Sequence, residues 1–188
     1  IITLYLKVKN MDAKMKGMVM AGMMAGALLL AILSVFGGSW LSPDDADDDV
    51  DFTVTLSGQE ASSEGFSMEI DYSELCDDLD DDDLCSAATA GTVGTIGLWI
   101  AIICAALSLA MMVLPMAGID ALDAIPEMVS KIVPWAAGGL MLVTTLLWLI
   151  LMPELDDTSV GMTFYMSMLG GLLGLAAPAM GMLVAADE

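Results

Sequence analysis

Four long stretches of the chain carry no charged side chain, and they constrain its fold more than any other feature. Residues 17–36, 91–114, 132–151 and 160–186 contain no Asp, Glu, Lys, Arg or His. A helix rises about 1.5 Å per residue, so about 20 residues cross a hydrocarbon core about 30 Å thick. Since 57% of the residues are hydrophobic, the chain is predicted to be an all-α membrane protein, a bundle of four transmembrane helices.

The connection between the first two stretches is strongly acidic. Seventeen of the 26 acidic residues of the chain fall between positions 44 and 83, a region without Lys or Arg. Because an unpaired carboxylate is costly to bury in hydrocarbon, residues 39–90 are predicted to form a loop in water.

The five lysines predict the orientation of the spans. They occupy positions 7, 9, 14, 16 and 131, at the amino terminus and between the second and third stretches. Positively charged loops are retained in the cytoplasm, so we expect a multi-pass plasma-membrane protein with both termini inside. The predicted segments are 1–16 (cytoplasmic), 17–38 (first span), 39–90 (extracellular loop), 91–114 (second span), 115–131 (cytoplasmic loop), 132–151 (third span), 152–159 (short extracellular turn), 160–186 (fourth span) and 187–188 (cytoplasmic).

The acidic loop also contains patterns typical of β-strands. Residues 52–56 alternate apolar and polar side chains, and so do residues 66–72, whereas residues 57–60 and 62–65 are typical of turns. The two strands are predicted to pair antiparallel across this polar connection. Trp40 follows the first span and is predicted to anchor the loop at the membrane–water interface, where indole rings are favoured.

Cys76 and Cys85 lie near the end of the predicted extracellular loop. In an oxidising compartment such a pair forms a structural disulfide, which would stabilise the fold by about 2–3 kcal/mol by restricting the unfolded loop. A redox-active pair is the alternative, but reactive thiolates need positively charged surroundings and the sequence around Cys76 is acidic.

Two clusters of aspartates are candidate cation ligands. Carboxylate oxygens suit hard cations such as Ca²⁺, which takes six to eight oxygen ligands, although no EF-hand spacing occurs here. The alternative is a solvated acidic face that binds no particular ion. The candidates are Asp44, Asp45, Asp47, Asp48, Asp49, Asp77, Asp78, Asp80, Asp81, Asp82 and Asp83.

Glycine pairs spaced four residues apart occur in the first and last stretches, Gly22 with Gly26 and Gly170 with Gly174. Such pairs let neighbouring helices approach closely, although small residues are also generally common in membrane helices.

The residues that are missing exclude several classes of protein. The chain has no His, the usual general base, and no catalytic, phosphate-binding, zinc or dinucleotide motif. Its spans lack the ionisable groups that pumps and proton-coupled transporters need. Five lysines and no arginine cannot form a nucleic-acid surface. We therefore expect no enzymatic activity, no organic cofactor, no nucleic acid and no small-molecule substrate, with bound lipids and other membrane subunits as partners.

Four spans, cytoplasmic termini, a Trp at the start of a large first loop and two cysteines near its end form a distinctive combination. It resembles the claudin / peripheral-myelin-protein-22 tetraspan superfamily, whose first loop carries a W…GLW…C…C signature. Trp40, Cys76 and Cys85 match three of these positions, and Tyr72 lies where the second aromatic residue is found. The resemblance implies a small extracellular sheet in the first loop, with the disulfide joining neighbouring strands.

Together these features predict a non-enzymatic, claudin-like membrane protein that displays an acidic extracellular loop. We expect a structural or adhesive role through protein–protein interaction, in which the chain self-associates or serves as a subunit of a larger assembly. The alternative is a cation-selective pore or paracellular-type channel element that uses the acidic loop, with Ca²⁺ as a candidate ion.

Overall fold

The structure is a computed structural model that describes residues 12–43, 51–63, 66–79, 81–119, 126–153 and 158–185. Five helices and five short strands occur within these ranges. The helices are α1 (Ala13–Phe36), α2 (Tyr72–Leu79), α3 (Asp82–Met116), α4 (Glu127–Leu151) and α5 (Met162–Ala185). The strands are β1 (Leu41–Pro43), β2 (Asp51–Val54), β3 (Gly58–Ser63), β4 (Phe66–Asp71) and β5 (Thr158–Val160).

Four of the helices, α1, α3, α4 and α5, are long and apolar enough to cross a membrane, which confirms the predicted four spans. Helix α1 packs against α3 and α5, and α4 packs against the same two helices. Large apolar side chains also remain exposed along the outside of the bundle, where lipid would cover them. They include Leu29, Leu33, Ile103, Val143, Ile150 and Leu172. The chain is therefore a multi-pass membrane protein.

The strands form one antiparallel sheet in the order β4-β3-β2-β1-β5. The predicted direct pairing of the segments 52–56 and 66–72 is wrong, because β3 lies between them and pairs with both. Residues 58–63 were expected to be mostly turn, since Gly, Gln, Glu and Ser are poor strand formers. Backbone hydrogen bonds to a neighbour on each side outweigh this weak local preference.

Strand β5 comes from the connection between the third and fourth spans, which was predicted to be a short turn. Leu41 of β1 pairs with Val160 of β5, and Ser42 pairs with Ser159. Gly161 N donates to Trp40 O at 2.8 Å, and Thr163 N donates to Ser39 O at 3.0 Å, which extends this contact to the start of α5. The sheet therefore joins two connections that are far apart in sequence, and both lie at the same end of the bundle.

Two helices begin earlier than their apolar stretches indicate. Helix α3 begins at Asp82, inside the segment assigned to the extracellular loop, and α4 begins at Glu127 rather than at residue 132. Asp81 caps α3, because its Oδ1 accepts from the backbone N–H of Asp83 at 3.0 Å and of Leu84 at 3.2 Å. Tyr72 was expected at the end of a strand but begins α2.

Small residues bring α4 and α5 into close contact. Any side chain at Gly138 would collide with the backbone of α5 at Gly171, Gly174 and Leu175. One hydrogen bond also joins these helices, between the hydroxyls of Thr145 and Ser167 at 2.6 Å, and both side chains are fully buried. Close backbone packing and interhelical hydrogen bonds hold helices together where hydrocarbon offers no hydrophobic driving force.

Candidate functional site

The sheet is attached to the helices by a cluster of buried aromatic rings, which we call the tryptophan junction: Trp40, Trp148 and Phe164. The rings of Trp40 and Trp148 lie 4.8 Å apart between centroids, and Phe164 meets Trp40 edge-on at 6.4 Å. Both tryptophans are completely buried. These rings come from the residue before β1, the end of α4 and the start of α5, so the junction joins three parts of the chain.

The ring of Trp40, the predicted loop anchor, is buried inside the protein, and its position at the membrane–water interface stays a prediction. Its Nε1 donates to the carbonyl oxygen of Ser34 at 3.0 Å. Ser34 lies in the last turn of α1, where carbonyl groups have no partner within the helix. The Trp40 indole therefore supplies a hydrogen-bond donor at the carboxyl-terminal end of α1. The backbone N–H of Trp40 donates to Val54 O of β2 at 2.8 Å.

Trp148 makes the corresponding connection from the third span. Its Nε1 donates to the carbonyl oxygen of Leu56 at 3.0 Å, and Leu56 lies between β2 and β3. Leu56 and Val54 pack into the same core, so the inner side of the sheet rests on the ends of the helices. A second link follows nearby, where Ser86 Oγ donates to Leu151 O at 2.8 Å. These contacts fix the sheet in one position relative to the bundle.

The predicted disulfide between Cys76 and Cys85 is confirmed. The resemblance implied that it joins neighbouring strands, but here Cys76 lies in α2 and Cys85 in the first turn of α3. The bond therefore holds α2 against the extension of α3. Helix α2 spans only eight residues, too few to be stable alone in water, so it depends on this tertiary restraint.

Between residues 60 and 83, the acidic side chains whose positions are described all lie on the exposed surface of this end of the molecule. Asp77, Asp78, Asp81, Asp82 and Asp83 are among them. We call this surface the acidic layer; its other members are Glu60, Glu69, Asp71 and Glu74. The predicted ligands Asp44, Asp45, Asp47, Asp48, Asp49 and Asp80 lie outside the described residues.

Some of these acidic residues stabilise the starts of helices. Asp81 caps α3, and Asp82 and Asp83 lie in its first turn, where negative charge interacts favourably with the helix dipole. Asp71 Oδ1 accepts from the backbone N–H and the hydroxyl of Ser73, both at 2.8 Å, at the start of α2. Within the described ranges, no group of three or more His, Cys, Asp or Glu residues is arranged to hold a metal ion.

The two glycine pairs occupy different environments. Gly170 and Gly174 are buried, and a side chain at Gly174 would collide with the Gly138 backbone of α4. Gly22 is exposed, and a Cβ atom there would meet nothing within 4 Å. The surface of α1 around Gly22 is therefore exposed on the outside of the bundle.

Tyr72 is the most unusual polar residue of the sheet layer. Its side chain is 2% exposed, and its hydroxyl is the one buried side-chain polar atom in the described part of the chain without a hydrogen bond. Leaving such a group unsatisfied costs about 1–3 kcal/mol. Burial raises the pKa of Tyr72 above its ordinary value, and the neighbouring Gln59 side chain lowers this pKa in part. The phenol is therefore neutral at physiological pH.

The sequence predicted only some of the residues that connect the sheet to the bundle. Trp40 stood out because of its position after a span, but Trp148 has no local feature that distinguishes it from Trp99 or Trp135. Its partner Leu56 lies 92 positions away. Gly138 was missed as well, since its close partners belong to another helix.

Comparisons with known proteins provide no family assignment. A scan against protein-family models finds no match, and a search of curated proteins finds no similar sequence. The proposed function therefore depends on the fold and on the geometry of the site.

Proposed function

We propose that the chain is a non-enzymatic plasma-membrane protein with a structural or interaction role. It displays an acidic extracellular layer and either self-associates or serves as a subunit of a larger membrane assembly. Both termini are cytoplasmic in this proposal, and lipids cover the exposed apolar surface of the bundle.

The observation that carries this proposal is the tryptophan junction, which attaches the sheet to the helices. A binding surface gains affinity when it is ordered before its partner arrives, because less conformational entropy is lost on binding. The acidic layer has this property, since its sheet is fixed by Trp40, Trp148 and the disulfide. No Lys or Arg occurs between residues 17 and 130, so a partner surface would need to supply positive charge.

The proposed architecture is similar to that of the claudin / peripheral-myelin-protein-22 superfamily. Four membrane-spanning helices, an antiparallel sheet built from both connections at one end and a disulfide in the first loop support this likeness. Adhesion through the first loop is the role that the likeness implies. The attachment of the disulfide to two helices rather than to two strands is a difference from that family.

A cation-selective pore is the second candidate function, and the acidic layer is the feature that favours it. Rings of carboxylates attract cations and repel anions. The centre of a single bundle is filled by small buried side chains such as Ala27, Ala31 and Ala137, so a pore would have to form between several chains. Unchanged ion selectivity after replacement of the exposed aspartates by asparagine would eliminate this candidate.

Native mass spectrometry of the full chain released from the membrane in mild detergent tests the proposed function. We expect a defined oligomer or a retained foreign subunit. Gly22→Leu is expected to reduce this association several-fold, because Gly22 is the open glycine of α1 and a larger side chain there blocks close helix approach.

Gly139→Leu is the matched control, because a Cβ atom at Gly139 also meets nothing within 4 Å but no glycine lies four residues away from it on α4. We expect this variant to associate like the original chain. A monomer that is free of partners at every detergent concentration would contradict the proposal.

A further inference from the structure

A groove lies on the outside of the molecule where the sheet layer meets α3, and we call it the hydroxyl groove. Its volume is about 310 Å³, at the lower end of the range of about 300–1,000 Å³ that is usual for small-molecule sites. Three parts of the chain line it, and each contributes polar residues. They are Ser57 between β2 and β3, Asp71 and Ser73 on either side of the start of α2, and Thr92 and Thr95 of α3.

Hydrogen bonds and close packing hold the walls of the groove together. Ser57 O accepts from the backbone N–H of Tyr72 at 3.1 Å. Asp71 Oδ1 accepts from the backbone N–H and the hydroxyl of Ser73, both at 2.8 Å. A Cβ atom at Gly91 of α3 would lie 2.9 Å from Ser57 Cα, so glycine lets the connection after β2 approach the helix closely. The groove is therefore formed before a ligand arrives, which lowers the entropic cost of binding.

Several hydrogen-bonding groups of the groove are available to a ligand. The hydroxyls of Ser57 and Thr95 form no hydrogen bond with any described residue, and Asp71 uses only its Oδ1 atom. The Thr92 hydroxyl donates to Ala88 O at 2.9 Å and can still accept. No Lys or Arg occurs between residues 17 and 130. The groove therefore offers hydroxyl donors and acceptors and one carboxylate, but no positive charge.

The groove continues directly into a surface of α3 that lipid would cover. Residues three and four positions apart share one face of a helix, so Trp99 and Ile103 continue the face of Ile96, which lines the groove. Ile96 and Ile103 are each 56% exposed, and Trp99 is 43% exposed. Trp99 meets the exposed ring of Phe36 edge-on at 6.1 Å between centroids. Exposed aromatic rings are typical of the membrane–water interface, which puts the hydroxyl groove at the level of lipid headgroups.

We propose that the hydroxyl groove binds the uncharged sugar headgroup of a membrane glycolipid, whose acyl chains lie along the apolar face of α3. Sugar hydroxyls both donate and accept, so they match the hydroxyls of the groove and the Oδ2 atom of Asp71. A phospholipid is a poorer fit, because its phosphate would meet no positively charged side chain and would lie beside the acidic layer. The site is complete within one chain and requires only that α3 crosses a membrane, so it does not depend on the proposed interaction role.

Native mass spectrometry of the full chain with added lipid tests the site. The chain is kept in a polyoxyethylene detergent, because glucoside and maltoside detergents carry sugar headgroups of their own. It is titrated with glucosyl-diacylglycerol, phosphatidylethanolamine and phosphatidylglycerol that have identical acyl chains, so that only the headgroup differs. We expect the glucosyl lipid to bind with an apparent affinity about 5-fold higher than either phospholipid, the difference that one or two net hydrogen bonds make.

Two results of this titration would overturn the proposal. Equal binding of the three lipids would mean that the acyl chains alone determine retention. A preference for phosphatidylethanolamine would mean that Asp71 pairs with an ammonium group rather than with a sugar.

Thr92→Val removes one hydroxyl from the groove and keeps the shape of the side chain. We expect this variant to bind the glucosyl lipid about 5-fold more weakly and to bind phosphatidylglycerol like the original chain. Thr89→Val is the matched control, because the hydroxyls of Thr89 and Thr92 both donate to the carbonyl four residues earlier in α3. Thr89 does not line the groove, so its variant should retain the full preference for the glucosyl lipid.

A chain that combines Thr92→Val with Asp71→Asn extends the test to the opposite wall of the groove. Both positions are exposed, so we expect the chain to fold, and we expect it to bind the three lipids equally. A preference for the glucosyl lipid that persists undiminished in this chain would place the headgroup elsewhere and overturn the proposal.

Discussion

Replacement of Trp148 by alanine is expected to lower the free energy of unfolding by about 3–5 kcal/mol, the usual cost of removing a fully buried large aromatic side chain. The indole is completely buried, packs at a tilt against Trp40 and donates a hydrogen bond to Leu56 O. Its loss leaves a cavity and an unpaired carbonyl group at the point where sheet and bundle meet. Thermal unfolding in mild detergent should show a Tm lower by roughly 10 °C.

Two further substitutions separate the causes of this effect. Trp148→Phe keeps an aromatic ring but removes the N–H donor, so a smaller loss of about 1–2 kcal/mol is expected. Trp99→Ala removes the same side chain from a position that is 43% exposed on α3, and we expect a loss below about 1 kcal/mol. Equal effects at Trp148 and Trp99 would show that the junction does not hold the sheet.

The second large effect is expected at Gly138. A Cβ atom there would lie 2.6 Å from the carbonyl carbon of Gly174 and 2.7 Å from the carbonyl oxygen of Gly171. Backbone atoms cannot rotate away as a flexible side chain can, so Gly138→Ala must push α4 and α5 apart. We expect a loss of about 1–3 kcal/mol, measured by unfolding with a denaturing detergent.

Gly139→Ala is the control at the adjacent residue, and its expected effect on stability has the opposite sign. A Cβ atom at Gly139 meets nothing within 4 Å, and alanine has a better helix propensity than glycine by up to about 1 kcal/mol. This variant should therefore be as stable as the original chain or slightly more stable. A neutral Gly138→Ala would contradict the close approach of the two helices.

The contrast between these two glycines shows how far the sequence could predict the packing. Both belong to the same apolar stretch, and the sequence offers no local reason to distinguish them. Only the position of α5 determines that Gly138 is enclosed and Gly139 is open. The four spans, by contrast, could be predicted because hydrocarbon imposes one requirement on every residue of a span, independently of its neighbours.

The sheet layer was predicted less well for a related reason. Strand β3 is stabilised by partners on both sides, and β5 is a three-residue strand formed where two distant connections meet. Neither is specified by its own residues. The early start of α3 could have been recognised, because Asp81 followed by Asp82 and Asp83 is a typical helix start. Hydropathy did not indicate this start, because the first turns of α3 precede the apolar stretch.

In the proposed architecture the acidic layer and the connection before α4 lie on opposite sides of a membrane, with the acidic layer outside. Labelling of single cysteines with a membrane-impermeant maleimide tests it most directly. Glu69→Cys lies in exposed strand β4, and Met128→Cys lies at the start of α4, where the side chain is 70% exposed. Both are made in a chain with Cys104→Ala, which removes the one free cysteine.

We expect Glu69→Cys to be labelled in intact cells and Met128→Cys to be labelled only after the membrane is permeabilised. Labelling of both positions in intact cells would mean that α3 does not cross the membrane. Labelling of Met128→Cys alone in intact cells would reverse the orientation and put the acidic layer in the cytoplasm. Either result would contradict the architecture on which the proposed role depends.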